Sequence, residues 1–313
     1  MITEPALSRA AIDRAAHRRQ DPQWLAAAWQ RSQVVIVDTG AGGASLVTSR
    51  DELVLFPPDQ VDAGAERFFL GVDADGNPYF GVDAVLPKHG ADGAELAGAR
   101  SATLREVADR LPARDADLMA TAAALAFWHA RHRFSASVGE PTEPAEGGWA
   151  RRGGVGGQEW PRTDPAVIVL VHDGAAGPLG RCLLAVGTSW HEAPVQRFSC
   201  LAGFVEPGES AESAVAREVA EEVGAAVDEI AYVASQPWPF PASLMLGFTA
   251  RADPGVLLTL EPAEIARARW FTRAEVAGLR AGGALLTDDG LPIAVTDNAS
   301  ISTWLIDAWL ASG

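Results

Sequence analysis

The stretch from Gly208 to Gly224 constrains this chain more than any other. Glu209 to Val223 holds neither glycine nor proline and is rich in alanine, glutamate and valine, so it reads as a helix that Gly224 stops. At about 100° per residue, Glu218, Glu221 and Glu222 fall within an arc of roughly 100°. Val215, Val219 and Val223 run beside them as a stripe that can pack on a sheet. Glu218 and Glu222 are an i,i+4 pair of like charge, which costs an isolated helix about 0.2–0.5 kcal/mol. A solvated face tolerates that cost. Clustered carboxylate oxygens are also what a hard divalent cation such as Mg²⁺ requires. Arg217, one residue ahead of the first glutamate, is a planar fork able to orient a neighbouring carboxylate.

The rest of the composition narrows the partners. The chain has 313 residues, enough for two average domains. With 25 basic and 41 acidic residues its formal charge is −16, which argues against duplex DNA and anionic lipid as partners. A phosphate substrate would need local charge inversion, most simply by bound divalent metal. The longest nearly apolar stretch, Leu118 to Trp128, is about half of the roughly 20 residues a membrane span needs. The first thirty residues have no signal-peptide core and carry Glu4, Asp13 and Asp21, so no cleaved leader is expected. Cys182 and Cys200 make neither a disulfide framework nor a Cys₄ zinc site and read as buried thiols in a reducing cytoplasm. His129, His132, His172 and His191 lack metal-ligand companions and read as ordinary surface or packing residues.

Three segments follow from the pattern: an α/β scaffold over residues 1–130, a connector over 131–163, and a second α/β domain over 164–313. In the first, Gln33 to Val37, Leu53 to Phe56 and Phe68 to Val72 read as strands. Leu104 to Leu111 and Asp115 to His132 have helical spacing, with Leu118, Ala122, Leu125 and Trp128 on one stripe. The connector segment from Val138 to Thr163 holds seven glycines and three prolines, which exclude a helix or a long strand. Trp149 and Trp160 within it are expected to pack on something. Ala166 to Val171 reads as a fully buried strand, Arg181 to Val186 as its hairpin partner, and Ser199 to Phe204 as a third strand.

The whole string fits G-x5-E-x7-R-E-U-x-E-E-x-G-U through Gly203, Glu209, Arg217, Glu218, Val219, Glu221, Glu222 and Gly224. In this it resembles the Nudix hydrolases. Ala225 departs from the pattern at a packing position where a larger aliphatic is usual. The resemblance implies an α/β/α sandwich over about 164–313 and hydrolysis of a nucleoside diphosphate linked to another moiety. It also implies Mg²⁺ or Mn²⁺ held by this helix.

Beyond the helix comes Ser235-Gln-Pro-Trp-Pro-Phe-Pro-Ala-Ser243. The alternating Pro237, Pro239 and Pro241 exclude a helix or a central strand and hold Trp238 and Phe240 on a stiff, extended backbone. Rigid aromatics beside Gln236 and Ser243 suit a planar base; a structural plug is the alternative use. In this place the motif resembles the NADH pyrophosphatase branch, the NudC-type enzymes. Phe134, Trp160-Pro161-Arg162 and Leu201-Ala202-Gly203-Phe204 agree with it. That resemblance implies cleavage of NADH or NAD⁺ to NMNH or NMN plus AMP, removal of NAD caps from RNA 5′ ends, and a homodimer with an N-terminal Nudix-like domain.

Carried over by position, the metal ligands are Glu218, Glu222, Glu264 and the carbonyl of Ala202. Glu221 is a metal ligand or the general base, and Arg217 an orienting residue of the catalytic set. Phe204, Gln236, Pro237, Trp238, Pro239, Phe240, Pro241, Ala242 and Ser243 line the substrate pocket, with Trp160, Ser302 and Arg105 as further contacts. The family's zinc ribbon has two C-x2-C pairs where this chain reads Ser135, Val138, Arg152 and Val155, so the connector reads as a degenerate, zinc-free ribbon. Two other readings keep the helix: a Nudix hydrolase acting on ADP-ribose or a nucleotide sugar, and a Nudix-like binding module without turnover.

Overall fold

A computed structural model describes residues 4–88, 96, 98–155, 157–296 and 299–313. Gly156 of the glycine-rich connector and the first three residues of the N-terminal segment fall outside these. The chain forms two compact units. One comprises Asp164–Gln236 and Leu244–Gly313 with a short N-terminal stretch ending at Ala6; the other comprises Leu7–Thr163 and the loop Pro237–Ser243.

In the second unit the elements run α1 (Pro22–Trp29), β1 (Gln33–Val37), β2 (Ser45–Val47), β3 (Arg67–Val72), β4 (Pro78–Asp83), β5 (Arg100–Ala102), α2 (Leu104–Val107) and α3 (Ala113–Arg131). Asp21 caps α1 by accepting from the Trp24 N–H at 2.9 Å. Strands β1, β4 and β3 make a sheet in that order, β1 parallel and β3 antiparallel to β4. Leu118, Ala122, Leu125 and Trp128 of α3 are all buried, as their spacing requires. Leu53 to Phe56 is not a strand. Only single bridges, Val47 with Leu53 and Val34 with Phe56, hold it, because the buried Asp115 carboxylate takes the Leu53 N–H at 2.9 Å. The expected helix to Leu111 opens at Leu104 on a capping box of Thr103 and Glu106 and stops at Val107. Strand β4 and helix α1 were not anticipated from the sequence.

The connector folds as a small sheet of β6 (Glu143–Ala145), β7 (Ala150–Arg152) and β8 (Gln158–Glu159). Side chains tie it down. Trp149 donates its indole N–H to the Phe69 carbonyl at 2.6 Å. Arg151, 3% exposed, donates to the Thr142 hydroxyl, the Thr142 carbonyl and His129 Nδ1. His129 in turn reaches the Gly148 carbonyl through Nε2 at 2.8 Å and stacks on Phe68. Since arginine only donates, His129 is neutral with its proton on Nε2; burial lowers its pKa in the same sense. At the four ribbon positions, Ser135 donates to Glu159 at 2.6 Å, Arg152 donates to Gln158 at 3.0 Å, and Val138 and Val155 are exposed.

In the first unit the elements are β9 (Asp164–His172), β10 (Arg181–Gly187), β11 (Gln196–Phe198), β12 (Leu201–Phe204), α4 (Ala211–Val223), β13 (Asp228–Trp238), β14 (Ser243–Arg251), β15 (Ile265–Thr272), α5 (Arg273–Arg280), β16 (Ile293–Val295) and α6 (Ile301–Ala311). The main sheet has the order β13-β14-β9-β10-β15, with β12 also on β9. Strand β9 explains the layering. Val167, Val169 and Val171 pack with Val215, Val219 and Val223 of α4. The alternate residues Ile168 and Leu170 pack with Ile301, Leu305, Ile306 and Trp309 of α6 and Val276 of α5. A sheet covered on both faces needs a continuous apolar strand rather than an alternating one. The result is an α/β/α sandwich.

Arg181 to Gly187 is the hairpin partner of β9, pairing Cys182 with His172 and Leu183 with Val171. Ser199 makes only a single bridge, to Ala185, and the third strand begins at Leu201. Gln236-Pro237-Trp238 closes β13, whose place at the sheet's edge is where proline is tolerated. Ala225 is 4% exposed in the core under α4. Cys182 and Cys200 are buried free thiols, and burial pushes that of Cys200 up to about 12. Among the described residues no helix is long and apolar enough to cross a membrane.

Candidate active site

Helix α4 starts at Ala211, two residues later than Glu209, because Ser210 caps it by accepting from the Ser213 N–H at 3.2 Å. Gly224 ends it with φ 69°, a conformation glycine adopts without strain. A valine stripe pressed on the sheet fixes the rotation of the helix. That rotation divides the three glutamates: Glu218 and Glu222 are 8% and 6% exposed, whereas the Glu221 side chain is 59% exposed.

Of the three helix glutamates, Glu222 is perturbed most. Burial, with the charges of Glu218 and Glu264, pushes its carboxyl up to about 8 against the support of the Ala202 backbone N–H. Its Oε2 is buried without a hydrogen-bond partner. Burial likewise raises Glu218, opposed by Arg217 and reinforced by Glu221 and Glu264. Glu264 comes from an exposed turn just before β15. The Glu261 N–H donates to the Glu222 carbonyl at 3.0 Å and the Glu264 N–H to the Glu261 carbonyl at 3.1 Å, which ties the turn to the end of α4. Among the described residues, no three His, Cys, Asp or Glu side chains already form a closed cage for an ion.

Arg217 organises the carboxylates. Its Nε and Nη2 donate to the two oxygens of Glu209, each at 2.9 Å; Nη1 donates to Glu218 and Glu221, each at 2.9 Å. Nη2 also donates to the Phe204 carbonyl at 2.9 Å, so the clamp joins the helix, the turn before it and strand β12. Glu209, held by this fork, has its carboxyl well below the usual range. Gly203 leaves no alternative: a Cβ there would overlap the Glu218 carboxyl group. The spacing of the motif contained both residues, but neither the role of Glu209 as Arg217's anchor nor that of Gly203 as clearance was assigned from it.

Of the other residues singled out from sequence, Phe204 is 60% exposed on β12 and Ala202 is exposed beside it. Gln236 is fully buried and donates to the Ala299 carbonyl at 2.9 Å. Ser302, 1% exposed, accepts from the Cys200 N–H at 2.9 Å. In the other unit, Trp238 and Phe240 meet edge to face at 5.0 Å, and the Arg105 guanidinium lies 5.0 Å and 4.5 Å from their ring centres. Pro237 and Pro241 are exposed, Pro239 is buried, and Ala242 and Ser243 are half-buried. Trp160 is 65% exposed. The structure thus brings Glu222 to Ala202 and Glu218 to Gly203, with Glu264 near enough for its charge to act on both and Glu221 held by Arg217, in one unit, and Arg105, Trp238 and Phe240 together in the other.

Comparison with known proteins agrees with this chemistry. Residues 162–289 match the family model described as "NUDIX domain", and residues 23–128 match "NADH pyrophosphatase-like rudimentary NUDIX domain". The "NAD-capped RNA hydrolase NudC" of Mycobacterium bovis is 40% identical over 318 residues, covering 98% of this chain and 95% of the relative. A Deinococcus radiodurans protein of the same name is 43% identical over 184 residues, covering 58% of this chain and 64% of that protein. The "NAD-capped RNA hydrolase NUDT12" of Homo sapiens is 40% identical over 178 residues, covering 53% and 37%. With its Arg217-clamped glutamates on a sandwich helix and this likeness over nearly its whole length, the chain belongs to the Nudix hydrolases, in their NudC-type NADH pyrophosphatase branch.

Proposed function

We propose that this protein hydrolyses the pyrophosphate bond of NADH and NAD⁺, giving NMNH or NMN plus AMP, and performs the same cleavage on NAD caps at RNA 5′ ends. The observation that carries the reading is the clamped carboxylate cluster. Two buried glutamates that repel each other, one with an orphaned oxygen, are stable as anions only beside a cation. The donor set, all oxygen, fits Mg²⁺ or Mn²⁺ rather than a soft metal. Glu218, Glu222, Glu264 and the carbonyl of Ala202 are the residues to hold it. When bound, such a cation neutralises pyrophosphate oxygens and acidifies water.

The chain's own groups supply the rest. Arg217 fixes Glu218 and Glu221 in place, so neither must be ordered during reaction. Glu221 uses Oε2 for Arg217 and keeps Oε1 to accept a proton from the attacking water, whose oxygen bonds to phosphorus as the bridging P–O bond breaks. Trp238 and Phe240 stack on the planar base, while Arg105 stays fixed over both rings. Gln236 and Ser302 act through packing: buried and bonded to backbone, they set the ends of β13 and α6.

Three further parts of the reading accompany this. Residues 1–130 are a scaffold, 131–163 a zinc-free connector and 164–313 the catalytic domain. The working form is a homodimer, supported by the large exposed rings of Trp160 and Phe134. The protein works in a reducing cytoplasm, where Cys182 and Cys200 stay thiols.

The test is product analysis after incubation with NADH and Mn²⁺ or Mg²⁺. NMNH and AMP in equal amounts, abolished by EDTA, are expected. Folded protein that leaves NADH and NAD⁺ intact but cleaves ADP-ribose would move the activity to that substrate, and no turnover of any of these would leave a binding module.

A further inference from the structure

Away from the carboxylate cluster, the N-terminal unit holds an open cavity of about 620 Å³, the size of a small-ligand site. Arg19, Arg67 and Arg152 line it, with Glu146 as the single lining carboxylate. In a chain of formal charge −16, such a concentration of cations requires a reason. Among the described residues, Arg18, Arg19, Arg67 and Arg152 have no carboxylate within ion-pair distance, although other arginines of the unit do, such as Arg14 with Asp117 and Arg100 with Asp51.

Aromatic faces hold three of these arginines, while Arg152 donates to the Gln158 side chain at 3.0 Å. The Arg19 guanidinium lies 3.6 Å from the ring centre of Trp149, that of Arg67 lies 4.1 Å from Trp29, and that of Arg18 lies 5.2 Å from Trp24. Trp149 is itself anchored through its indole N–H to Phe69. A cation–π contact positions a guanidinium without neutralising it and leaves its in-plane N–H groups for an anion. Arg19 Nε is buried without a hydrogen-bond partner. One oxygen of Glu146, Oε1, accepts from both Gln20 and Gln158, at 3.0 and 2.9 Å, which leaves one carboxylate charge against three guanidinium groups. Burial first and the neighbouring Arg14 next act against the charge on Arg19, Glu146 offsets them only in part, and a bound anion would offset them further.

We infer that this cavity is a phosphate-binding site, in which Arg19, Arg67 and Arg152 receive the oxygens of a phosphate-bearing ligand. The chemistry has two sources: a phosphodiester of a single-stranded RNA tail, or a free phosphate compound such as AMP or pyrophosphate. The inference does not depend on NAD(H) cleavage, and its test runs without it.

Isothermal titration in EDTA, where turnover is absent, would use three probes: a ten-nucleotide single-stranded RNA with a 5′-hydroxyl, AMP, and inorganic pyrophosphate. The comparison is with the double variant Arg67→Gln/Arg152→Gln, both exposed residues whose loss leaves the core intact. Wild type should bind at least one probe, and the double variant about 10-fold or more weakly, since each lost charge-assisted contact is among the stronger hydrogen bonds. RNA binding alone, with a salt slope that falls by about 0.7 per arginine removed, identifies the backbone as the source. Saturable one-site binding of AMP or pyrophosphate identifies a small phosphate compound. Turnover of NADH with Mn²⁺ should be the same in both proteins, and thermal melting should confirm that both are folded. Absence of binding by all three probes, or equal affinity in the double variant, would overturn the inference.

Discussion

Removing one proton-binding site, by Glu222→Gln, should make the metal-free protein more stable at alkaline pH. The Glu222 carboxyl is 6% exposed and pushed up to about 8 by burial and by Glu218 and Glu264, against 4.5 when unperturbed. A raised acid destabilises the folded state in its ionised form. Its contribution is therefore intact below about pH 4.5, declines as pH rises from there to about 8, and is fully lost above. At about 1.4 kcal/mol per unit the ceiling of that loss is about 5 kcal/mol. Water entry and side-chain rearrangement reduce it, so a loss on the order of 2–3 kcal/mol is the working figure.

At roughly 2–4 °C per kcal/mol for a unit of this size, wild type in EDTA should melt about 5–10 °C lower at pH 8.5 than at pH 5 through this group alone. The glutamine variant, neutral throughout, should lose most of that slope, retaining a remainder from Glu218, which is raised in the same direction. Millimolar Mn²⁺ should restore the wild type at pH 8.5 and do little for the variant. Differential scanning calorimetry across pH 5–9, with and without metal, measures all four curves. Parallel pH profiles for the two proteins in EDTA would refute the claim that Glu222 is a buried, cation-seeking carboxyl.

Gly203→Ala places a methyl where the Glu218 carboxyl sits, so turnover of NADH should fall by ~100-fold or more while far-UV circular dichroism is unchanged. Arg217→Gln deletes the five hydrogen bonds that hold Glu209, Glu218, Glu221 and the Phe204 carbonyl; a fall in kcat of ~10²-fold with a stability loss of about 1–3 kcal/mol is expected, read by steady-state kinetics and urea unfolding. Trp238→Ala should raise KM for NADH by ~10-fold, because base–aromatic stacking is worth about 1–3 kcal/mol, and an unchanged KM would remove that ring from the pocket. Arg151→Met leaves the Thr142 carbonyl and His129 Nδ1 without their donor and should lower the melting temperature by several degrees, equivalent to about 2–3 kcal/mol, without altering kcat.

Much of the catalytic unit was legible in the sequence because its signals are local. Helix periodicity alone placed Val215, Val219 and Val223 on one face and the glutamates on the next, and Gly224 alone ended the helix. The run Ala166 to Val171 announced a strand covered on both sides, which β9 is. Less could be read in the N-terminal unit. Leu53 to Phe56 has the composition of a strand, but the Asp115 carboxylate from 62 residues away takes the amide that a ladder would need. The proline-rich motif excluded a central strand and did not say that its first residues would close an edge strand.

What the tertiary structure decided is the chemistry of each glutamate. Three identical side chains within five residues differ because burial depends on what the fold lays over them: Glu218 and Glu222 lie beside Ala202 and Gly203 of β12, and Glu221 faces water. The turn bearing Glu264 arrives from beyond β14, and the backbone bond from Glu261 to the Glu222 carbonyl fixes it there. The connector, too, owes its closure to partners remote in sequence, with Arg151 bonded to His129 and Trp149 to Phe69. Periodicity is a property of neighbouring residues and can be read along a chain. Desolvation and charge coupling depend on distances across the fold, and they alone make three like carboxylates differ in exposure and proton affinity.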